Sequence, residues 1–152
     1  MTDELDLDSL DLAAVSPDEF ARIVKGLSGR EIGEIAQDEV LRRRVIAEIF
    51  GRMERQFRPD AAGPLNAVIR WKITGESDVV YETAVADRTL TVREGRSESE
   101  ARVSLVLDDA AFLKLVSGNG SPVSMFITRK LKVVGDIALA TRLPSLFDIP
   151  EA

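Results

Sequence analysis

The chain has 152 residues, of which 45% are hydrophobic and 30% charged, the proportions of one ordinary globular domain. It contains neither cysteine nor histidine, which excludes disulfides, thiolate nucleophiles and metal sites built on those ligands, and removes the commonest general base and serine-activating partner. A net charge of −6 disfavours overall attraction to nucleic acid or to an anionic membrane.

Residues 1–15 mix aspartate with leucine and carry no cap or turn logic, so they are expected to form a mobile acidic tail. The alternative is that Leu5, Leu7, Leu10 and Leu12 cover an apolar opening as a lid. No lysine or arginine precedes Arg22, and no run reaches the roughly 18 to 20 apolar residues of a membrane span. The expectation is a soluble, cytoplasmic protein.

Ser16-Pro17-Asp18-Glu19 and Ser28-Gly29-Arg30-Glu31 are capping-box patterns, predicting two helices that form a helical extension over residues 16–37. Phe20, Ile23, Val24 and Leu27 share one face of the first, and Ile32 and Ile35 mark the second. From Asp38 to about Phe57, Leu41, Val45, Ile49 and Met53, with the neighbouring row Ile46, Phe50 and Phe57, predict a long helix with one broad buried stripe. Its opposite side collects Arg42, Arg43, Arg44, Arg52 and Arg55, suited to a transient acidic protein partner or a lipid headgroup at a membrane, or else simply a solvated face.

Pro59 and Ala61-Ala62-Gly63-Pro64 end the helices, and the period changes to two. Strands are predicted over 67–74, 79–86, 88–93 and 101–107, their short connections implying an antiparallel meander. Asp108 caps a helix running to Gly118-Asn119-Gly120, and Ser121-Pro122 opens a short apolar helix with Val123, Met125, Phe126 and Ile127. Leu131–Val134 forms a further strand. Gly135-Asp136 caps a last helix through Ile137, Leu139, Ala140 and Leu143, broken at Pro144.

No element carries recognisable catalysis. Gly118-Asn119-Gly120-Ser121 lacks a Walker lysine and does not follow a strand, so it reads as a turn and cap. Asp108 and Asp109 suit the first turn of a helix. Ser97, Ser117, Ser121 and Ser124 have no histidine partner, and a pairing with Lys130 has nothing local to favour it. Trp71 lacks the interleaved aromatics and cations of a single-strand binder. What stands out is the density of apolar residues from Phe112 to Phe147, which suits either a ligand cavity or a well-filled core.

The run AVIRWKITG at 67–75, FLKLVSG at 112–118, SPVSMFIT at 121–128, KLKVVGDIALA at 130–140 and RLPSLF at 142–147 together resemble the sterol carrier protein 2 domain family over roughly residues 38–149. The resemblance implies an α+β fold: a curved, mainly antiparallel sheet of about five strands covered by helices, with residues 16–37 resembling an extension common among bacterial stand-alone members. It also implies a non-catalytic apolar tunnel for fatty acyl chains, sterols or other lipids, with no metal or other cofactor. Phe112, Leu115, Val116, Met125, Phe126, Leu139, Leu143 and Phe147 are the implied lining, and Arg129, Lys130 and Arg142 the candidate groups at its mouth. Arg129 departs from the pattern, which often has glycine before the Lys-Leu pair. The alternative is an accessory or oligomerisation module whose cavity its own side chains fill.

Overall fold

A computed structural model of the chain describes residues 16–75 and 77–147; the tail expected over residues 1–15 lies outside them. Helix α1 (Pro17–Gly26) begins where Ser16 accepts a hydrogen bond from the Glu19 amide. Helix α2 (Gly29–Gln37) has the full reciprocal box: Ser28 Oγ accepts from the Glu31 amide at 3.0 Å, and the Glu31 carboxylate accepts from the Ser28 amide at 2.9 Å. Two amides that a first turn leaves open are thereby satisfied. Asp38 caps α3 (Glu39–Gln56) by accepting from the Leu41 amide. Pro59, expected only to end the helical region, opens the short helix α4 (Pro59–Ala62), where its missing N–H costs nothing.

The strands β1 (Ala67–Thr74), β2 (Val79–Ala86), β3 (Thr89–Glu94), β4 (Val103–Asp108) and β5 (Leu131–Gly135) form one sheet in the order β3-β2-β1-β4-β5. The β2–β3 hairpin turns on Asp87 and Arg88, both at positive φ, as a two-residue turn of matching twist requires. Three of the four pairings are antiparallel, so the sheet is mainly antiparallel as the resemblance implies. The expected meander is not formed, because β4 pairs with β1 in parallel, Val103 opposite Ile69. Crossing from β3 to β4 spans three strand spacings, about 14 Å, and residues 95–102, when extended, reach about 26 Å. A connection that looks like a hairpin loop in sequence is therefore long enough to cross the sheet.

The crossing is held on the sheet face away from the helices. Glu82, buried at 2% exposure, accepts from Arg70 Nε at 2.8 Å and from the Ser97 amide at 3.0 Å, and Arg70 also donates to the Ser99 carbonyl. The other sheet face is apolar: Ile69, Trp71, Ile73, Tyr81 and Val85 alternate inward along β1 and β2. Against it pack α3, α5 (Asp109–Ser117) and α7 (Ile137–Thr141), with α6 (Pro122–Ile127) beside β5 and α8 (Leu143–Leu146) beside α4. Phe20, Val24, Ile32 and Ile35 of the helical extension belong to the same buried cluster, so α1 and α2 form an outer layer on one shared core.

The single last helix expected through Leu143 is two helices. Helix α7 stops at Thr141, and Pro144 sits within the first turn of α8 instead of breaking a longer helix. The chain then returns to the end of α3, where Phe147 bridges Phe57 and Arg58 donates its amide to the Leu146 carbonyl.

Burial pushes the Glu82 carboxyl up, but the hydrogen bonds from Ser97 and the Arg70 guanidinium outweigh it and leave its pKa below the usual carboxylate range. A carboxylate shifted this way contributes stability above its unfolded pKa, near 4.3, and that contribution is lost as pH falls through the folded value. Urea unfolding will therefore find Glu82→Gln less stable than the unaltered chain at about pH 7, with the gap narrowing by about pH 3.

Candidate functional site

The residues implied as a tunnel lining come from the helices that cover the apolar sheet face, and the space between those helices and the sheet is where the resemblance puts a tunnel. Phe112, Leu115 and Val116 come from α5, Met125 from α6, and Leu139, Leu143 and Phe147 from α7, α8 and the residue after it. All seven are buried and belong to the cluster that contains Trp71 and Leu105. Their placement follows from local rules: Asp108 caps α5 through the Ala111 amide, Gly118 closes it at φ 84°, and Asp136 caps α7 through the Leu139 amide.

Phe126 does not face that space. It is 42% exposed, while its neighbour Met125 is 4% exposed. Successive residues on a helix point about 100° apart, and in the six-residue α6 the buried direction is taken by Pro122 and Met125.

The interior is lined with rings in contact. Phe50 stacks on Tyr81 at 4.2 Å between centroids and on Phe112 at 5.4 Å, and meets Trp71 edge-on at 5.7 Å. Trp71 Nε1 donates to Thr83 Oγ1 at 3.1 Å, which satisfies both groups at full burial. Burial raises the Tyr81 phenol, with Glu94 adding to the rise and Arg43 opposing it, so the hydroxyl stays protonated at neutral pH.

Three of the four serines considered as nucleophiles have hydroxyls in local structural hydrogen bonds. Ser121 Oγ accepts from the Ser124 amide and Ser97 Oγ from the Ser99 amide, while Ser117 Oγ donates to the Lys114 carbonyl and accepts from Asn119. The loop at Gly118–Gly120 fastens the outer layer, since Asn119 also donates to the Ala21 carbonyl of α1 at 2.9 Å.

The arginine face of α3 is corrected at two positions. Arg42 is 1% and Arg52 2% exposed, so neither is available to a membrane or protein partner. Arg42 Nε donates to both carboxylate oxygens of Asp109, at 3.1 and 2.9 Å, and its terminal nitrogens donate to the Ser77 and Ile73 carbonyls. Arg52 lies over the Phe20 ring, 4.5 Å from the centroid, a cation–π contact that binds α1 to α3. Arg43 is half-exposed and pairs with Glu39 and Glu94, and Arg44 faces Glu48 at 3.8 Å.

The three mouth candidates are all exposed. Arg129 has φ 63°, the left-handed conformation that favours glycine, so the departure noted in sequence falls on a backbone position where glycine fits without strain. Arg142 donates to the Ala61 carbonyl. Open polar depressions flank the 95–102 crossing, one of about 690 Å³ lined by Arg70, Arg96, Glu98, Ser104 and Gly135 among others. Its charged walls do not suit an acyl chain.

The model of the SCP-2 sterol transfer family matches residues 48–148. The chain belongs to that family. Hydroxysteroid dehydrogenase-like protein 2 of Xenopus laevis is 25% identical over 101 residues, covering 66% of this chain and 24% of the frog protein. The chain thus spans about a quarter of that relative's length. Among solved structures, Sterol Carrier Protein 2 Like 2 of Aedes aegypti superposes with a TM-score of 0.53 at 18% identity, covering 69% of this chain and 98% of that one. A stereoselective inverting sec-alkylsulfatase from Pseudomonas sp. superposes at 0.57 and 15% identity, over 69% of this chain and 16% of the sulfatase. These structural likenesses establish the fold of this SCP-2 family member: a five-stranded mixed sheet with helices on its apolar face.

Two outcomes check this geometry by urea unfolding. Met125→Ala costs about 2–5 kcal/mol and Phe126→Ala less than about 0.5 kcal/mol, the reverse of what side-chain size alone suggests. Arg42→Met, which strands a buried Asp109, costs about 3–5 kcal/mol, whereas Arg43→Met changes stability by less than about 1 kcal/mol.

Proposed function

We propose that this chain binds a lipid or other hydrophobic small molecule, such as a fatty acyl chain or a sterol-like compound, and carries or presents it without chemical change. The observation that carries the reading is the family match over residues 48–148, joined to an interior whose walls at Phe112, Leu115, Val116, Met125, Leu139, Leu143 and Phe147 are wholly apolar. The driving force is transfer from water: about 0.8 kcal/mol per methylene gives a long acyl chain on the order of 10 kcal/mol before association costs. Selectivity follows from cavity shape and from one or two polar groups at the mouth, for which Arg129, Lys130 and Arg142 are placed on the surface beside α6, α7 and α8. Because Phe50, Trp71, Tyr81 and Phe112 are in mutual contact, a ligand enters by displacing the short elements α6 to α8 and not by opening the sheet.

A second reading is favoured by the lengths of the relatives. The chain covers 24% of the frog dehydrogenase-like protein and 16% of the sulfatase, which supports a module that serves an attached or separate enzyme, with its interior filled by its own side chains. Organic extraction of the freshly purified protein followed by mass spectrometry, with displacement of a fluorescent fatty acid, separates the two. The carrier reading predicts a co-purifying lipid and an unfolding free energy raised by about 2.7 kcal/mol at a hundredfold excess over the dissociation constant. A lipid-free protein that neither displaces the probe nor gains stability leaves the module reading.

A further inference from the structure

Among the described residues, five of the six exposed large hydrophobics fall between Val123 and Ile137. Val123 is 50%, Phe126 42% and Ile127 72% exposed, all on the outer side of α6. Ile137, 49% exposed, opens the adjoining α7, whereas Val134 on the edge strand β5 pairs with Ser104, and Ser104 with Arg70, so that it faces the other side of the sheet in the polar depression. Isolated exposed apolar residues are ordinary, but a cluster on the two touching helices α6 and α7 is a contact surface. The same stretch is locally basic: residues 121–134 contain Arg129, Lys130 and Lys132 and no acidic residue, in a chain whose net charge is −6. All three cations are exposed.

We propose that α6, the Arg129-Lys130 turn and the start of α7 form a docking surface for an anionic lipid bilayer. Val123, Phe126, Ile127 and Ile137 enter the boundary between headgroups and acyl chains, and Arg129 and Lys130 lie at the depth of the phosphates. The charge sign selects the occupant: the surface is cationic and apolar together, the combination that interfacial segments use on acidic membranes. Arg129 contributes through its strained turn, since its left-handed φ of 63° reverses the chain directly between α6 and β5. The proposal does not require the interior to be occupied.

The test is flotation of the full chain with vesicles of phosphatidylcholine alone and of phosphatidylcholine mixed with phosphatidylglycerol. The protein is expected to float with the mixed vesicles, less so at high salt, and to stay behind with the neutral ones. Lys130→Gln lowers the partition coefficient about five-fold. Phe126→Ser with Ile127→Ser lowers it about tenfold or more, and Ile127→Trp shifts its emission to the blue on mixed vesicles. All of these positions are exposed, and unchanged circular-dichroism melting verifies that the variants fold. A wild-type chain that does not float with anionic vesicles overturns the proposal, as does equal flotation of all variants. So does a concentration-dependent dimer that Ile127→Ser abolishes without any vesicle binding, which makes the occupant a second copy. Because flotation reads association and not lipid content, its failure leaves the ligand reading to the extraction experiment.

Discussion

Arg42 reaches from the start of α3 to three groups that the chain brings from elsewhere: the Asp109 carboxylate in the first turn of α5, the Ile73 carbonyl near the end of β1, and the Ser77 carbonyl beyond it. The guanidinium is 1% exposed, so its charge is tolerable only with these partners in place. A Cβ on Gly75 would lie 2.8 Å from Arg42 Nη2, which shows how closely the backbone is drawn around it. Buried ion pairs add little net stability once desolvation is counted, but an α3 shifted by one turn would strand two charges. The pair thus sets the register of the two helices that wall the interior, and with it the meeting of Phe50 and Phe112 over Trp71.

Around that register the two sheet faces have different tasks. The outer face is polar and is closed by the chain itself, with Glu82 and Arg70 holding the 95–102 crossing in place. The inner face is apolar and is closed at one end by the eighteen-residue α3 and at the other by helices of four to six residues. Short helices with few turns of hydrogen bonding open at lower cost than long ones. The exposed apolar residues of α6 lie on the side of the short helices.

The strands were legible because their two faces differ in polarity, so β1 alternates Ile69, Trp71 and Ile73 with Arg70 and Lys72. The helix starts were legible because Ser16, Ser28, Asp38, Asp108 and Asp136 supply the side-chain oxygen a first turn needs. The parallel position of β4 was not, since strand periodicity carries no information about which strand is the neighbour. The burial of Arg42 and Arg52 had a signal that composition masked: Arg42, Ile46, Ile49 and Met53 are spaced i, i+4, i+7 and i+11, and Arg52 follows Ile49 by three, so both arginines sit on the apolar stripe. For Phe126 against Met125 there was no usable signal, because six residues are too few for a helical period to choose between neighbours. Seven of the eight residues that the resemblance implies as a lining are buried, a placement that a packed core and a ligand cavity share.

In the proposed function an apolar ligand lodges between the inner sheet face and α5 to α8. The most direct measurement is nuclear magnetic resonance of the protein with a carbon-13-labelled fatty acid, recording nuclear Overhauser effects from the acyl chain to protein methyl groups. The account predicts contacts to Leu115, Leu139 and Leu143 in one saturable complex. Contacts confined to the polar depression beside residues 96–104, or an acyl chain with no protein contacts at saturating concentration, would contradict it.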